Sequence, residues 1–356
     1  MGWDRKMKKS LLISLMAAGT LLTGCKSIGP ASIDYSRTGF NEAIQRTDAQ
    51  QLLLNIVRQR YNDPVMFLEV TAVSSSMSRS GNLNLSGFFP TGFGAKESYN
   101  GGLGGSLTES PLIFYAPNTG EKFVRQILTP IDLKTISLLL QSGWSIERVL
   151  LIAADSINGL RNNVAGDNEY PVLAKQLRNL QRSNRLAFAI ERDANGLDVL
   201  AMIPTPGTVN EKPYQEACRI LNLRADGRPI KVQLGLGDPS VQSATVLLAT
   251  RSLYSSFYFL GNGVIASSRD LEEGIAQNRS IAGSIFDPDK GDLFRVKSSK
   301  GEPERAAVKV RYRDEWFYVG ESDQDSRTTF ALMSMLLMLQ GGDVNRMSPL
   351  VSLSPR

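Results

Sequence analysis

Between Ser74 and Ser110 the chain changes composition: Ser, Gly and Asn fill most positions and charge is sparse. Its large apolar residues fall on one parity. Leu83, Leu85 and Phe89 take odd positions in Ser80–Phe89, against Ser80, Asn82, Asn84 and Ser86 at even ones. In Ser98–Leu107 the odd residues Tyr99, Leu103 and Leu107 alternate with Ser98, Asn100, Gly102, Gly104 and Ser106. Successive side chains leave a pleated strand on opposite sides, so a period of two marks a strand with one apolar face. A helix would scatter these residues around its axis. Pro90 to Ala95 reads as a turn, and Arg79, Lys96, Glu97 and Glu109 bracket the arms. The pattern predicts a long Gly/Ser-rich β-hairpin, an insertion over 74–110.

Each arm has about the 9–11 residues that a tilted strand needs to cross a bilayer, with lipid-facing and lumen-facing positions alternating. On this reading Leu83, Leu85, Phe89, Tyr99, Leu103 and Leu107 are the membrane-facing residues. One hairpin in lipid leaves its edges unpaired, at several kcal/mol per backbone group, so several subunits must donate hairpins to one closed barrel. The arrangement resembles that of oligomeric outer-membrane lipoprotein pores such as the curli-secretion channel. The alternative is an exposed hairpin or Gly/Ser loop on a soluble domain.

The start of the chain supplies an address. Arg5, Lys6, Lys8 and Lys9 precede the uncharged run Leu11 to Leu22, and small residues follow, the plan of a secretory signal. The run is about half the roughly 20 residues of a spanning helix. Its end, Leu22-Thr23-Gly24-Cys25, resembles the lipobox of bacterial lipoproteins. That resemblance implies removal of residues 1–24 and lipidation of Cys25, which makes the lipid bilayer the first partner. Lys26, in the place where Asp is absent, implies transfer to the outer membrane, with the periplasmic face expected for the domain. Residues 25–40 then read as a lipidated tether.

The leader carries four of the 40 basic residues and one of the 35 acidic ones, so the mature chain is near neutral at +2. That balance gives nucleic acid no support as a partner. The chain has no histidine, which removes the commonest general base and metal ligand and every Ser-His or Cys-His nucleophile. With Cys25 lipidated, the other cysteine, Cys218, has no partner for an intramolecular disulfide. Its neighbours Tyr214, Ala217 and Leu221 at helical spacing make it a buried core thiol. No cofactor, no metal and no enzymatic activity are expected.

The remainder reads as about seven helices and nine strands without strict βα alternation, hence α+β with a mixed or antiparallel sheet. A capping box at Thr47 to Gln50 opens a helix with Leu53, Ile56 and Val57 inward. Val65–Thr71 suggests a well-buried strand and Pro111–Tyr115 another. Thr129-Pro130 and Ser145 start helices, and 170–182 is a third with Leu173, Leu177 and Leu180 inward. Leu186–Glu191 and Leu197–Ile203 form a hairpin. Asp238-Pro239 opens a helix of about twenty residues to Leu260, with Val246, Leu253 and Phe257 inward. Strands at Leu293–Lys297, Ala306–Arg313 and Trp316–Val319 precede a last helix from Ser322. The domain is expected over 41–342, with 343–356 a tail.

The weaker motifs favour structure over chemistry. Gly235-Leu236-Gly237 lacks the third glycine of a dinucleotide turn and reads as a tight strand-to-helix connection. Asp287 to Asp292 lacks an EF-hand's ligand spacing and reads as a surface turn. Arg178, Arg182 and Arg185 form a solvated face or a contact to phospholipid. Trp316-Phe317-Tyr318 must turn at least one ring from the core. The sequence thus points to an outer-membrane lipoprotein with an assembly role, by self-association or within an envelope complex and with a pore through residues 80–107. The alternative is a monomeric periplasmic adaptor or ligand-binding lipoprotein.

Overall fold

The helix expected from Thr47 starts nineteen residues earlier, as α1 (Ile28–Arg60). Most of the segment read as a tether is therefore helical. Pro30 falls in the first turn, where no intrahelical N–H partner is needed, and Gly39 sits where a Cβ would meet nothing within 4 Å. The computed structural model describes residues 28–87, 99–117, 120–163, 169–238, 245–278, 284–287 and 293–340. The chain divides into two compact units, residues 1–49 and 50–356.

The second unit is α+β. Its main sheet has six strands in the order β4-β3-β8-β7-β6-β5, namely β3 (Ala154–Ile157), β4 (Leu160–Arg161), β5 (Leu186–Arg192), β6 (Asp198–Pro204), β7 (Ile230–Leu234) and β8 (Thr245–Thr250). Only the β7–β8 pair is parallel; the others are antiparallel. Helices α3 (Leu133–Gln141) and α4 (Ile146–Ala153) cover it, and Ile136, Leu140, Val149 and Leu150 meet Ile157, Leu200, Val232 and Leu248 around a residual void of about 10 Å³. Close packing of this kind is what interiors require.

Helix α5 (Tyr170–Arg182) buries Leu173, Leu177 and Leu180 as its period predicts, and α6 (Lys212–Ile220) buries Tyr214, Ala217 and Cys218. Cys218 is a free, buried thiol, and burial pushes its pKa up. A three-stranded sheet, β10-β11-β9, comprises β9 (Lys297–Ser299), β10 (Ala306–Tyr312) and β11 (Glu315–Gly320). In it Phe317 is buried while Trp316 and Tyr318 are half-buried, the alternation of a one-sided strand. The last helix among the described residues is α8 (Gln324–Gln340), capped by Asp323, which accepts from Ser326 N at 3.0 Å.

Two helical expectations fail. Thr129 ends α2 (Glu121–Leu128) instead of opening a helix; α3 is capped by Asp132, which accepts from Thr135 N at 2.6 Å. The long helix expected to Leu260 is strand β8 followed by α7 (Leu253–Leu260), capped by Ser252. Val246 and Leu248 are buried on alternate positions, a period of two that a dense apolar run conceals. Gly237, read as part of a turn into that helix, lies where a Cβ would come within 2.6 Å of Asn158 Cα, so close backbone approach demands the glycine.

A buried polar node ties α4 to its surroundings. The carbonyls at a helix C-terminus have no intrahelical partners. Arg251, 4% exposed, donates to Leu151 O (3.1 Å) and Ile152 O (3.4 Å), and to Asn162 O (2.6 Å). Asn162 Nδ2 donates to Leu151 O and Ala154 O, both at 2.8 Å, and Tyr170 Oη to Leu150 O at 3.1 Å. The guanidinium lies 3.7 Å from the Phe259 ring centroid, and burial pulls its pKa down to about 10. Its role is to cap a helix end.

Candidate functional site

The site begins on α1. Asn55 and Gln51 are one turn apart, and each uses both sides of its carboxamide on one backbone residue of the extended segment leading into the next strand. Asn55 Nδ2 donates to Met66 O (2.8 Å) and its Oδ1 accepts from Met66 N (2.9 Å). Gln51 Nε2 donates to Leu68 O (2.9 Å) and its Oε1 accepts from Leu68 N (2.7 Å). Four residues of helix rise ~6.0 Å. Two residues of strand rise ~6.6 Å. The two spacings match, so two amides stand in for a neighbouring strand.

From this clamp β1 (Leu68–Gly87) runs out and β2 (Tyr99–Pro117) returns antiparallel to it, from Leu68↔Pro117 to Gly87↔Tyr99. The residues joining them, with Phe89, lie outside the described residues, as does Cys25. Leu83 is opposite Leu103, Leu85 opposite Gly101 and Leu107 opposite Arg79. The strands expected separately at Val65–Thr71 and Pro111–Tyr115 form the base of this one ladder. Phe67 is buried, but Leu68 is 43% exposed, which corrects the expectation of a well-buried strand. A two-stranded sheet has no second layer to bury it.

The register carries the main finding. β1 has one extra residue at Thr71, a bulge between Val70 and Ala72, and Thr71 Oγ1 donates to Phe114 O at 3.3 Å. The bulge switches the parity of β1. Before it Leu68 and Val70 share a face with Pro117 and Tyr115; after it Val73, Met77, Leu83 and Leu85 share that same face with Ile113, Leu107, Leu103 and Tyr99. Apolar positions therefore fall on one face both below and beyond the bulge, interrupted at Ser75, Arg79 and Gly81 on β1 and at Glu109 and Gly105 on β2. The other face holds Ser, Asn and Gly positions, with Leu112 and Phe114 near its base.

Where side chains are described, the ladder's base is bare. Leu112 is 57%, Phe114 49% and Tyr115 61% exposed, with Met66, Val124 and Leu128 also exposed nearby in sequence. Exposed apolar surface on this scale marks contact with protein or lipid.

The edges differ along their length. Leu68 gives both its N–H and its C=O to Gln51, so it points away from β2, and in an antiparallel pair that orientation recurs at alternate positions. On β2 the outward positions are then Pro117, Tyr115, Ile113, Pro111 and onward through the odd numbers. Two of these are prolines without an N–H, the device by which edge strands avoid pairing. At the base, one edge is filled by α1 amides and the other is interrupted by proline. Beyond Pro111 and the bulge both edges are open among the described residues.

The other sequence candidates resolve into structure. Of the three arginines, Arg178 bonds Gln181 (2.7 Å) and Arg185 bonds Glu211 (3.3 Å). Asp325 pairs with Arg148 (2.7 Å) and Glu321 with Arg305 (3.2 Å). A surface hollow of about 490 Å³ beside α5 and α6 contains Arg219, already bonded to Glu169 (2.6 Å) and Glu216 (2.7 Å). Asp287 is buried, and residues 288–292 lie outside the described residues.

A latch closes the far end of α1. Tyr61 Oη donates to Asp270 Oδ2 at 2.7 Å, and Asp63 accepts from Tyr312 Oη and, at 3.2 Å, from Arg313 Nη2. Those bonds, Tyr312's first, hold the Asp63 carboxyl below its usual range. Arg313 and Asp314 both have positive φ in the tight β10–β11 turn, the conformation that a two-residue hairpin connection of this type requires. Among the described residues no group of three His, Cys, Asp or Glu side chains could hold a metal ion, and no helix is long and apolar enough to cross a membrane. Comparison with protein-family models, curated proteins and solved structures gives no match for the chain.

The residues that sequence reasoning missed are Gln51, Asn55 and Thr71. Gln51 and Asn55 left a signal: carboxamides four apart on the face that also holds Leu52 and Ile56.

Proposed function

We propose that the chain is an outer-membrane lipoprotein, lipidated at Cys25, with a structural role in envelope assembly, and that the β1–β2 ladder is its working element. In this reading hairpins from several subunits close into one barrel that crosses the membrane, and no step of catalysis is involved. The observation that carries it is the apolar stripe continued past the Thr71 bulge on one face of a two-stranded ladder. A ladder of two strands is marginal alone, and an exposed face with this many apolar positions needs a cover. Leu22-Thr23-Gly24-Cys25 supports the membrane as that cover. The uncharged lengths 80–87 and 99–108, with the connecting residues, suit a tilted crossing of ~9–11 residues.

The test measures two things on the full-length protein expressed in a Gram-negative host. Palmitate labelling should depend on Cys25, and light scattering of detergent-extracted protein should give a multimer. Leu85→Asp with Leu103→Asp places charge on the proposed lipid face, where each costs less than the ~2–4 kcal/mol of an Arg or Lys near the midplane. Loss of the multimer or of membrane stability is expected. A lipid-bearing monomer, or a double variant that assembles and extracts like the parent, would sink the pore and favour the monomeric adaptor.

A further inference from the structure

We infer that the ladder's two open edges recognise each other between copies: the β1 edge of one chain pairs antiparallel with the β2 edge of the next, head to tail, over the distal half of the ladder only. The inference deepens the assembly reading above and rests on it for the requirement that all copies face one membrane.

Backbone chemistry supplies the attraction. Each edge presents a row of unpaired N–H and C=O groups, and burial of such groups without partners costs about 1–3 kcal/mol apiece. The same chain carries both halves of the match, and they already run antiparallel. The base cannot take part. There α1 amides occupy Leu68 of β1 and Met66 just before it, and Pro111 and Pro117 remove donors from β2. Pairing is thereby directed to positions beyond Val73 on β1 and before Pro111 on β2.

Five further pairings are geometrically available, and each fails; parallel pairing of β1 with β2 both inverts the second copy and turns its stripe over. Antiparallel pairing of β1 with β1, or of β2 with β2, inverts the second copy, so the two ladders point opposite ways. Pairing like edges in parallel keeps the direction but turns the apolar stripe of one copy to the other side of the sheet. Head-to-tail pairing alone preserves both direction and face, and heterologous contacts of this kind form a ring when the rotation between copies closes.

Charge placement agrees. Past the bulge β1 has a single charge, Arg79, and β2 has a single charge, Glu109. Both occupy positions on the stripe face, and Glu109 lies opposite Met77, two residues from the level of Arg79. Head-to-tail growth sets positive and negative positions alternately around the sheet at nearly one level, whereas like-edge pairing at that level opposes like charges.

The test uses full-length chains with one new cysteine each, two distinguishably tagged versions expressed together. One version carries Ser80→Cys; the other carries Ser106→Cys, Thr108→Cys or Ser110→Cys in separate experiments. Mild oxidation should give mixed covalent dimers in at least one combination and none when either version is expressed alone. Mixing Leu68→Cys with Tyr115→Cys, at the blocked base, should give none. Self-linked Ser80→Cys dimers would overturn the inference, because they require like edges to meet. So would an absence of mixed dimers in all three combinations. Palmitate labelling in the same cells separates the two readings: cross-links without lipid refute the lipoprotein anchor, and lipid without cross-links refutes the edge pairing.

Discussion

Asn55 offers the sharpest measurement of how the ladder is held. Its side chain is fully buried and makes two hydrogen bonds to Met66, of 2.8 and 2.9 Å, and its Oδ1 also accepts from Arg58 at 3.2 Å. Asn55→Ala removes both partners of the Met66 backbone. A part-buried acceptor and donor left unmade cost about 1–1.5 kcal/mol each, short of the full penalty because Met66 borders solvent, so the total is about 2–3 kcal/mol. Gln51→Ala removes the same pair of bonds from Leu68 in an exposed setting, where water replaces them, and should cost under about 1 kcal/mol. Urea unfolding of the leader-free chain reads the totals. Native-state hydrogen exchange reads the local event: protection at the Met66 amide should fall in Asn55→Ala, and at the Leu68 amide in Gln51→Ala. If the Met66 amide keeps its protection without Asn55, or if both variants cost the same, the clamp does not hold the strand as described.

Arg251→Met should destabilise by about 3–5 kcal/mol in urea unfolding, since it strands carbonyls at the end of α4 and a buried Asn162 carbonyl. Arg251→Lys should recover less than half of that, because an ammonium cannot fork to three oxygens; a loss under about 1 kcal/mol for the Met variant would show the node to be incidental. Asp63 has its pKa depressed on folding, so its stabilisation is present above the unfolded carboxylate value of about 3.9 and is lost as pH falls through the folded one. The difference in urea midpoint between the parent and Asp63→Asn should therefore be full at pH 7 and shrink below about pH 4; a difference that stays constant with pH would exclude ionisation as its source.

Legibility followed the strength of local periodicity. Helix α5 could be read because three leucines at i, i+4 and i+7 stand against charged neighbours, and the β5–β6 pair because Asp193 to Gly196 is a turn with its own bonds, Asp193 Oδ1 accepting from Asn195 N and Leu197 N at 2.9 Å. Thr245 to Leu260 defeated the same reasoning, since an apolar run whose single charge, Arg251, falls at the junction fits both periods until Ser252 is seen to cap only its second half. α1 hid its start because Pro30 and Gly39 look like linker residues, although a helix tolerates the first in its opening turn and the second at about 1 kcal/mol. In the ladder the positions Leu83, Leu85, Tyr99, Leu103 and Leu107 were legible by parity, and the register puts them on one face. The edge blocks were not, since Gln51 and Asn55 act across a chain reversal.

The bulge separates a stripe that merely alternates from one built into the register. Thr71 is one residue in excess on β1, so without it Leu68, Glu69, Val70, Ala72 and Val73 would follow Pro117 to Ile113 one for one, with every observed pair kept. Deletion of Thr71 should therefore leave the stripe intact, cost only the Thr71 hydroxyl bond to Phe114 O and the local bend, and preserve assembly. Deletion of Ser76, five residues on, removes a residue from a regular stretch. Every β1 position beyond it then slips by one against β2, and Leu83 and Leu85 move to the face of Gly104 and Gly102. The two deletions are equal in size and close in sequence, so general disruption predicts equal damage. Register predicts a multimer for the first and its loss for the second, read by light scattering of the extracted protein. Equal behaviour of the two would mean that the apolar face is not what assembly uses.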